Sequence, residues 1–224
     1  MRRIVGVLGE LLVTLGAIVL LFVAWQLWWT DVVSGQETSS AVAAMEQQWS
    51  APTATATAQP KPADAVPRDA IAVMRVPRFG SKWAQPIVQG TAYEQLARGV
   101  GHYIGTANPG AIGNFAIAGH RTTYGRPFHN IDTLIPGDRI VIETADTIYV
   151  YEMTSNEIVR PTQTQVIAPV PGEPGAEPTE AVLTMTSCHP KYAATYRFIV
   201  HAKLAATVPR AEWNPDQWLV VEGR

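Results

Sequence analysis

From residue 69 to the end, the chain breaks into short apolar runs rich in β-branched and aromatic residues, each cut off within a few residues by Pro or Gly. This texture restricts the fold more than any other feature. Residues 71–76, 84–88, 114–119, 138–144, 147–153, 181–188 and 196–204 read as strands. Only residues 92–98 have a helical look, so helices are expected to be short and peripheral. Many short strands with frequent turn residues specify an all-β barrel or sandwich. Residues 143–147 form a compact hairpin connection, and Pro136-Gly137-Asp138 is a turn feeding a strand. Residues 160–178 are Pro- and Gly-rich, a loop long enough to act as a lid or binding wall, or to be disordered.

The segment before residue 69 has a different character. Arg2 and Arg3 precede an almost unbroken apolar run over residues 4–29, interrupted mainly by Glu10, Thr14 and Gln26. Its clean part, residues 11–29, matches a ~30 Å hydrocarbon layer at about 1.5 Å per residue. The basic start and the later Asp31 and Glu37 place the amino terminus in the cytoplasm and residues 30–224 outside, with Trp25, Trp28 and Trp29 as an interfacial belt. The rival is a cleaved signal peptide; the run is long for one, and no small-residue cleavage site follows it directly. Residues 31–49 are polar with an Ala-rich patch at 41–45, too poor in apolar repeats to insist on a helix. Residues 50–67 are Pro, Ala and Thr with Gln and Lys, a solvated stalk reaching up to about 50 Å.

Charge excludes one class of partner. Seventeen basic and nineteen acidic residues give a net charge of -2, and no dense basic run follows the first few residues, so no nucleic-acid footprint exists. The single cysteine, Cys188, rules out an internal disulfide and any zinc site needing two thiolates from one chain. Alternation along residues 181–188 puts Leu183 and Met185 on the core side and Val182, Thr184, Thr186 and Cys188 on the other. Pro190 stops the ladder just beyond, so the thiol sits at a rim that substrate reaches. The alternative is a buried small hydrophobe. Along residues 196–204, Tyr196, Phe198, Val200, Ala202 and Leu204 are the inward set, and Arg197, Ile199, His201 and Lys203 face away. If the two strands form an antiparallel hairpin, Arg197 lies near Cys188, where a guanidinium can stabilise an oxyanion or orient a carbonyl. A solvated or salt-bridged arginine fits the same pattern.

Among five histidines, His120 is singled out by position. It ends the run 114–119, in which Phe115 and Ile117 point inward while Ala116 and Ala118 share the histidine's face and leave a shallow groove. His189 adjoins the cysteine but points the other way or into a loop. His102 and His129 fall in expected loops and His201 on a strand face, where packed or solvated histidines are usual. No pair has metal-ligand spacing, so no metal is read. Glu173 and Glu177 in the 160–178 loop offer at most weak cation binding.

With Gly119-His120, Thr184-Met185-Thr186-Ser187-Cys188 and Arg197 in that order, residues 69–208 resemble the sortases, exported membrane-anchored cysteine transpeptidases of Gram-positive bacteria. The segment Ala118-Gly119-His120-Arg121-Thr122-Thr123-Tyr124-Gly125 looks most like their class E, found in high-GC actinobacteria. Met185 stands where the motif usually has leucine, a volume-conserving swap. Ser187 stands where it usually has threonine and keeps the hydroxyl.

The resemblance implies a closed eight-stranded β-barrel. It divides the chain into an anchor (1–30), a juxtamembrane segment and extended linker (31–68) and a catalytic domain (69–224). Cys188 would be the nucleophile, cleaving the Thr-Gly bond of a sorting signal to give a thioester. His120 would be the acid/base and Arg197 the oxyanion or substrate contact. Ala118, Tyr124, Thr186 and Ser187 are the expected substrate-binding residues. The partners implied are secreted proteins bearing the signal, with Ala favoured at its second position (LAxTG) over Pro (LPxTG). The acceptor implied is an amine of a peptidoglycan precursor, and no cofactor is implied. Pilin polymerisation, or a wall-facing binding module without catalysis, are the alternatives. Papain-like peptidases place the cysteine before the histidine, and LD-transpeptidases want a different motif around the cysteine.

Overall fold

Eight strands close into a single barrel in a computed structural model that describes residues 2–50, 67 and 69–219. In chain order they are β1 (Ala70–Arg75), β2 (Ala84–Gln89), β3 (Val100–His102), β4 (Gly113–Ala118), β5 (Arg139–Glu143), β6 (Thr147–Val159), β7 (Ala181–His189) and β8 (Tyr196–Pro209). Around the barrel the order is β1-β2-β3-β4-β7-β8-β6-β5. Six of the neighbouring pairs are antiparallel; β2 with β3 and β4 with β7 run parallel. Parallel neighbours need a crossover. Between β4 and β7 the chain supplies it by building β5 and β6 on the far side and returning through residues 160–180.

The alternation expected of β4, β7 and β8 holds. Phe115, Ile117, Leu183, Met185, Phe198, Val200 and Ala202 are buried in one central cluster with Met74, Ile87, Ile140 and Ile142. Tyr196, expected inward, is instead 42% exposed: it sits at the first position of β8, beyond the reach of the core. Tyr151 is fully buried, and its hydroxyl accepts from Gly110 N at 2.7 Å; desolvation pushes its phenol up to about 12.

One strand escapes the sequence pattern. β3 is only three residues long, with Gly99 before it, Gly101 inside it and Val100 as its single apolar residue, too short for an alternating signal, and His102, expected in a loop, is its last residue. The glycines are there for close approach: a Cβ on Gly101 would meet Gly90 O at 2.3 Å. β6 and β8 also run further than their apolar signal, pairing from Thr147↔Pro209 to Val159↔Arg197 with two register shifts. With β5 they carry a second cluster outside the central one, in which Val141 of β5 and Ile148 and Val150 of β6 pack with Trp213 and Trp218. The helical look of residues 92–98 reduces to one turn, α2 (Tyr93–Leu96). The loop at 160–178 is tied down: it contains a 3-10 turn at Thr164–Ile167, Val166 packs with Val159 and Ile199, and Asn114 Nδ2 donates to Val166 O and Ala168 O.

The amino-terminal helix, α1 (Arg2–Ser50), is longer than expected. Residues Arg3–Val23, of mean hydropathy 2.5 and wholly unburied, are long and apolar enough to cross a membrane. The helix does not stop at a polar juxtamembrane segment. Its last turns dock on the barrel, where Val42 and Met45 bury against Val73, Glu46 pairs with Arg75, and Arg210 lies 4.6 Å over the Trp49 ring. The patch at 41–45 is therefore helical because tertiary contact supplies what its own apolar repeats lack. The stalk expected over residues 50–67 falls almost entirely outside the described residues, as do the side chains of Trp28 and Trp29.

Both Leu183 and Met185 are fully buried in the central cluster, and their chemistry separates two outcomes. Leu183→Ala should cost about 3 kcal/mol in urea unfolding by leaving a cavity, whereas Met185→Leu should cost less than about 1.5 kcal/mol.

Candidate active site

The parallel seam between β4 and β7 is paired in register from Gly113↔Ala181 to Ala118↔Thr186. It extends one step further, because Gly119 N donates to Thr186 O at 3.1 Å and Ser187 Oγ donates to Gly119 O at 2.8 Å. His120 and Cys188 each lie two residues beyond the last registered pair, at the same edge of the barrel. Across the next seam Cys188 is registered against Arg197. His120, Cys188 and Arg197 therefore occupy one row across β4, β7 and β8, on the faces that Ala118 and Thr186 continue.

Each member of the row is set by local structure. Gly119 must be glycine, since a Cβ there would meet the Phe128 ring at 2.7 Å; Phe128 N in turn donates to His120 O at 3.0 Å. His120 is half-buried, its ring 5.2 Å from that of Tyr124, and its buried Nε2 has no hydrogen-bond partner among the described residues. Burial pushes its imidazole below the ordinary range. An unpartnered buried ring nitrogen is costly to stability and is suited to a proton exchanged with a bound molecule. Cys188 is a free, half-buried thiol. Arg197 Nη1 donates to Ala194 O and Tyr196 O, each at 3.0 Å, which pins the guanidinium at the turn between β7 and β8.

The expected substrate-binding residues divide. Thr186 is buried and its hydroxyl shares a 3.0 Å hydrogen bond with Tyr103 OH. Ala118 is 8% exposed beside it. Tyr124, at φ 51°, turns back over His120 and bonds Tyr93 OH. Ser187 lies on the core-facing side of β7, buried, with its hydroxyl committed to Gly119 O, so it joins the two strands rather than facing a ligand.

The other histidines have structural partners. His102 is 1% exposed, with Nδ1 at 3.0 Å from Gln89 Oε1 and Nε2 at 3.0 Å from Ala107 O, and burial lowers its pKa. His201 lies between Thr184 Oγ1 and Glu157, and His129 Nδ1 bonds Arg121 O. His189 packs at 5.8 Å on Phe198, and its Nδ1 faces Arg121 Nη1 at 3.4 Å; a guanidinium only donates, so that nitrogen is an acceptor already engaged.

Two residues at the site escaped the sequence reading. Tyr103 reaches Thr186 from beyond β3, the strand that carries no pattern. Arg121 is a buried guanidinium that donates to Cys188 O at 3.2 Å. The available signal was its place immediately after His120, at a strand end where a charged side chain must find partners.

Comparison with known proteins accords with this geometry. The sortase-domain family matches residues 74–205. Sortase SrtE1 of Streptomyces coelicolor is 36% identical over 217 residues, covering 93% of this chain and 59% of that protein, so the chain spans under two thirds of that relative's length. The solved SrtA sortase from Actinomyces oris is 41% identical with TM-score 0.64, over 70% of this chain and 91% of that one. The structure of sortase E1 from Streptomyces coelicolor with a tripeptide in its active site is 37% identical with TM-score 0.60, over 66% and 95%.

The depressed pKa values of His102 and His120 fix the sign of a pH effect. Below the ordinary imidazole value of about 6.5 the unfolded chain binds more protons than the folded one. The contribution is fully present above about pH 6.5 and is lost as pH falls from there toward the folded values. Tm should drop between pH 7 and pH 5, and the His120 ring resonance should titrate with a midpoint below about 6.5.

Proposed function

Because the chain belongs to the sortase family of transpeptidases, we propose that it is a membrane-anchored cysteine transpeptidase acting on C-terminal sorting signals of secreted proteins. The observation that carries this reading is the row His120, Cys188, Arg197 across three adjacent strands. In it, the Cys188 thiol passes its proton to His120 as the sulfur attacks the carbonyl of the signal's Thr-Gly bond. Arg197 stabilises the oxyanion, and His120 gives a proton to the departing Gly amine, leaving a thioester. An amine of a peptidoglycan precursor then attacks the thioester, His120 takes its proton and returns it to the departing sulfur, and the Cys188 thiol is restored. An amine that outcompetes water turns cleavage into ligation. The buried Nε2 of His120, unpartnered among the described residues, supports its role as the proton carrier, and the engaged Nδ1 of His189 argues against the histidine adjacent to Cys188 in sequence.

Ala118, Thr186 and Tyr124 are the residues we assign to the signal, with preference for Ala at its second position. Ser187 drops out of that set because its hydroxyl is spent within the wall. The apolar half of α1 would anchor the chain, with the amino terminus in the cytoplasm and the barrel outside.

Incubation with LAxTG and LPxTG peptides followed by intact mass spectrometry tests the reading. A covalent acyl adduct on Cys188 is expected, forming faster with the LAxTG peptide. Separate Cys188→Ala, His120→Ala and Arg197→Ala variants should remain folded and lose transfer; transfer persisting in the cysteine variant would falsify the mechanism.

A further inference from the structure

Arg121 follows the proposed acid/base directly, yet no step of the transfer uses it. Its side chain is 1% exposed, and a guanidinium stays charged in a protein, so this is a permanent cation inside the barrel wall. Burying such a charge is costly unless every face of it is satisfied. Here every face is. Nη2 pairs with Asp132 Oδ2 at 2.7 Å; Nη1 donates to Cys188 O at 3.2 Å and faces His189 Nδ1 at 3.4 Å; Nε donates to His129 O at 3.4 Å; and the group lies 5.5 Å over the Phe198 ring.

Where these contacts fall is informative. The β4–β7 ladder ends at Ala118↔Thr186, and the next ties are Gly119 N to Thr186 O and Ser187 Oγ to Gly119 O. Arg121 to Cys188 O is the next in that series. At the point where the backbones stop bonding each other, a side chain takes over, and it grips the carbonyl of the residue that carries the thiol. Pro190, two residues on, has no N–H to continue the ladder. Asp132, on the 3-10 turn Ile131–Thr133, holds the far end of the guanidinium and also lies 3.8 Å from Lys191 Nζ, just past β7.

We propose that Arg121 is the positioning residue for Cys188: held by Asp132, it fixes the backbone at the end of β7 and occupies His189, so that the thiol keeps its aim toward His120 while substrate binds. The inference rests on the reading of Cys188 as nucleophile. A side chain's direction follows its backbone, and misplacing a reacting atom by about 1 Å costs about 100-fold in rate. Positioning of this kind acts on the chemical step and leaves peptide affinity alone.

The test measures kcat and KM for sorting-signal peptide cleavage in the full chain, with Tm, for Arg121→Lys, Asp132→Asn, the double variant and Cys188→Ala. Lysine keeps the charge but loses the planar fork that reaches three partners. Arg121→Lys should lower kcat by about 100-fold with KM within about twofold of wild type and the fold retained. Asp132→Asn should lower kcat by about tenfold or more, and the double variant should be little worse than Arg121→Lys, because both changes release one contact. Wild-type kcat in folded Arg121→Lys, a loss confined to KM, or, in a variant that is mostly folded, a loss no greater than its unfolded fraction overturns the proposal. Should Arg121→Lys not fold, Asp132→Asn decides: lowered kcat at unchanged KM and Tm supports positioning, and wild-type kcat overturns it. Cleavage surviving in Cys188→Ala means that the nucleophile reading itself has failed. An inactive Cys188→Ala beside fully active Arg121 and Asp132 variants means that only the positioning inference has.

Discussion

Parallel pairing of β4 with β7 places two strand ends at the same edge of the barrel, and the rest of the site depends on it. An antiparallel seam would put the end of one strand beside the start of the other, some 17–20 Å away for strands of ordinary length. Because the seam is parallel, residues 68 positions apart meet at equivalent steps, as Gly119 and Ser187 show by their 2.8 Å bond. The antiparallel β7–β8 hairpin then adds Arg197 opposite Cys188. The remaining strands complete the closure and the core that hold these two seams in place.

The edge where the ladder stops is also where backbone hydrogen bonding runs out, and the chain meets that with side chains. Ser187 and Arg121 bond carbonyls of Gly119 and Cys188, and Arg121 is neutralised by Asp132. Phe128 fills the space that a side chain at Gly119 would need and binds the carbonyl of His120. The result is a rim whose backbone is constrained while one buried ring nitrogen, His120 Nε2, is left without a partner among the described residues. Constraint around an unsatisfied polar atom is the arrangement expected where a bound molecule completes the hydrogen bonding.

Much of this was legible in the residues. Seven of the strands announce themselves by apolar alternation, and the same alternation put Phe115, Ile117, Leu183, Met185, Phe198, Val200 and Ala202 in the core, where they lie. The order His120, Cys188, Arg197 carried the family resemblance. β3 was illegible because it is three residues long and its Gly101 answers to the backbone of Gly90, leaving Val100 as the one apolar residue and no alternation to read. The helical end of α1 was illegible for a related cause: Val42 and Met45 are stabilised by Val73, a residue of a strand far along the chain. The bonds of Ser187 and Arg121 were not legible, because a hydroxyl or a guanidinium shows its role only through the partner it finds.

Local chemistry therefore specified the strands, their inward faces, the single thiol and the apolar stretch at the amino terminus, since each depends on the residue and its near neighbours. The arrangement of the site was settled by chain topology. Which edge of the barrel holds both His120 and Cys188, which histidine keeps a buried ring nitrogen unpartnered among the described residues, and which cation supports the thiol's backbone all follow from contacts between segments tens of residues apart. Periodicity and propensity encode a residue's preference for core or solvent; they carry no record of the distant partner that closes a hydrogen bond.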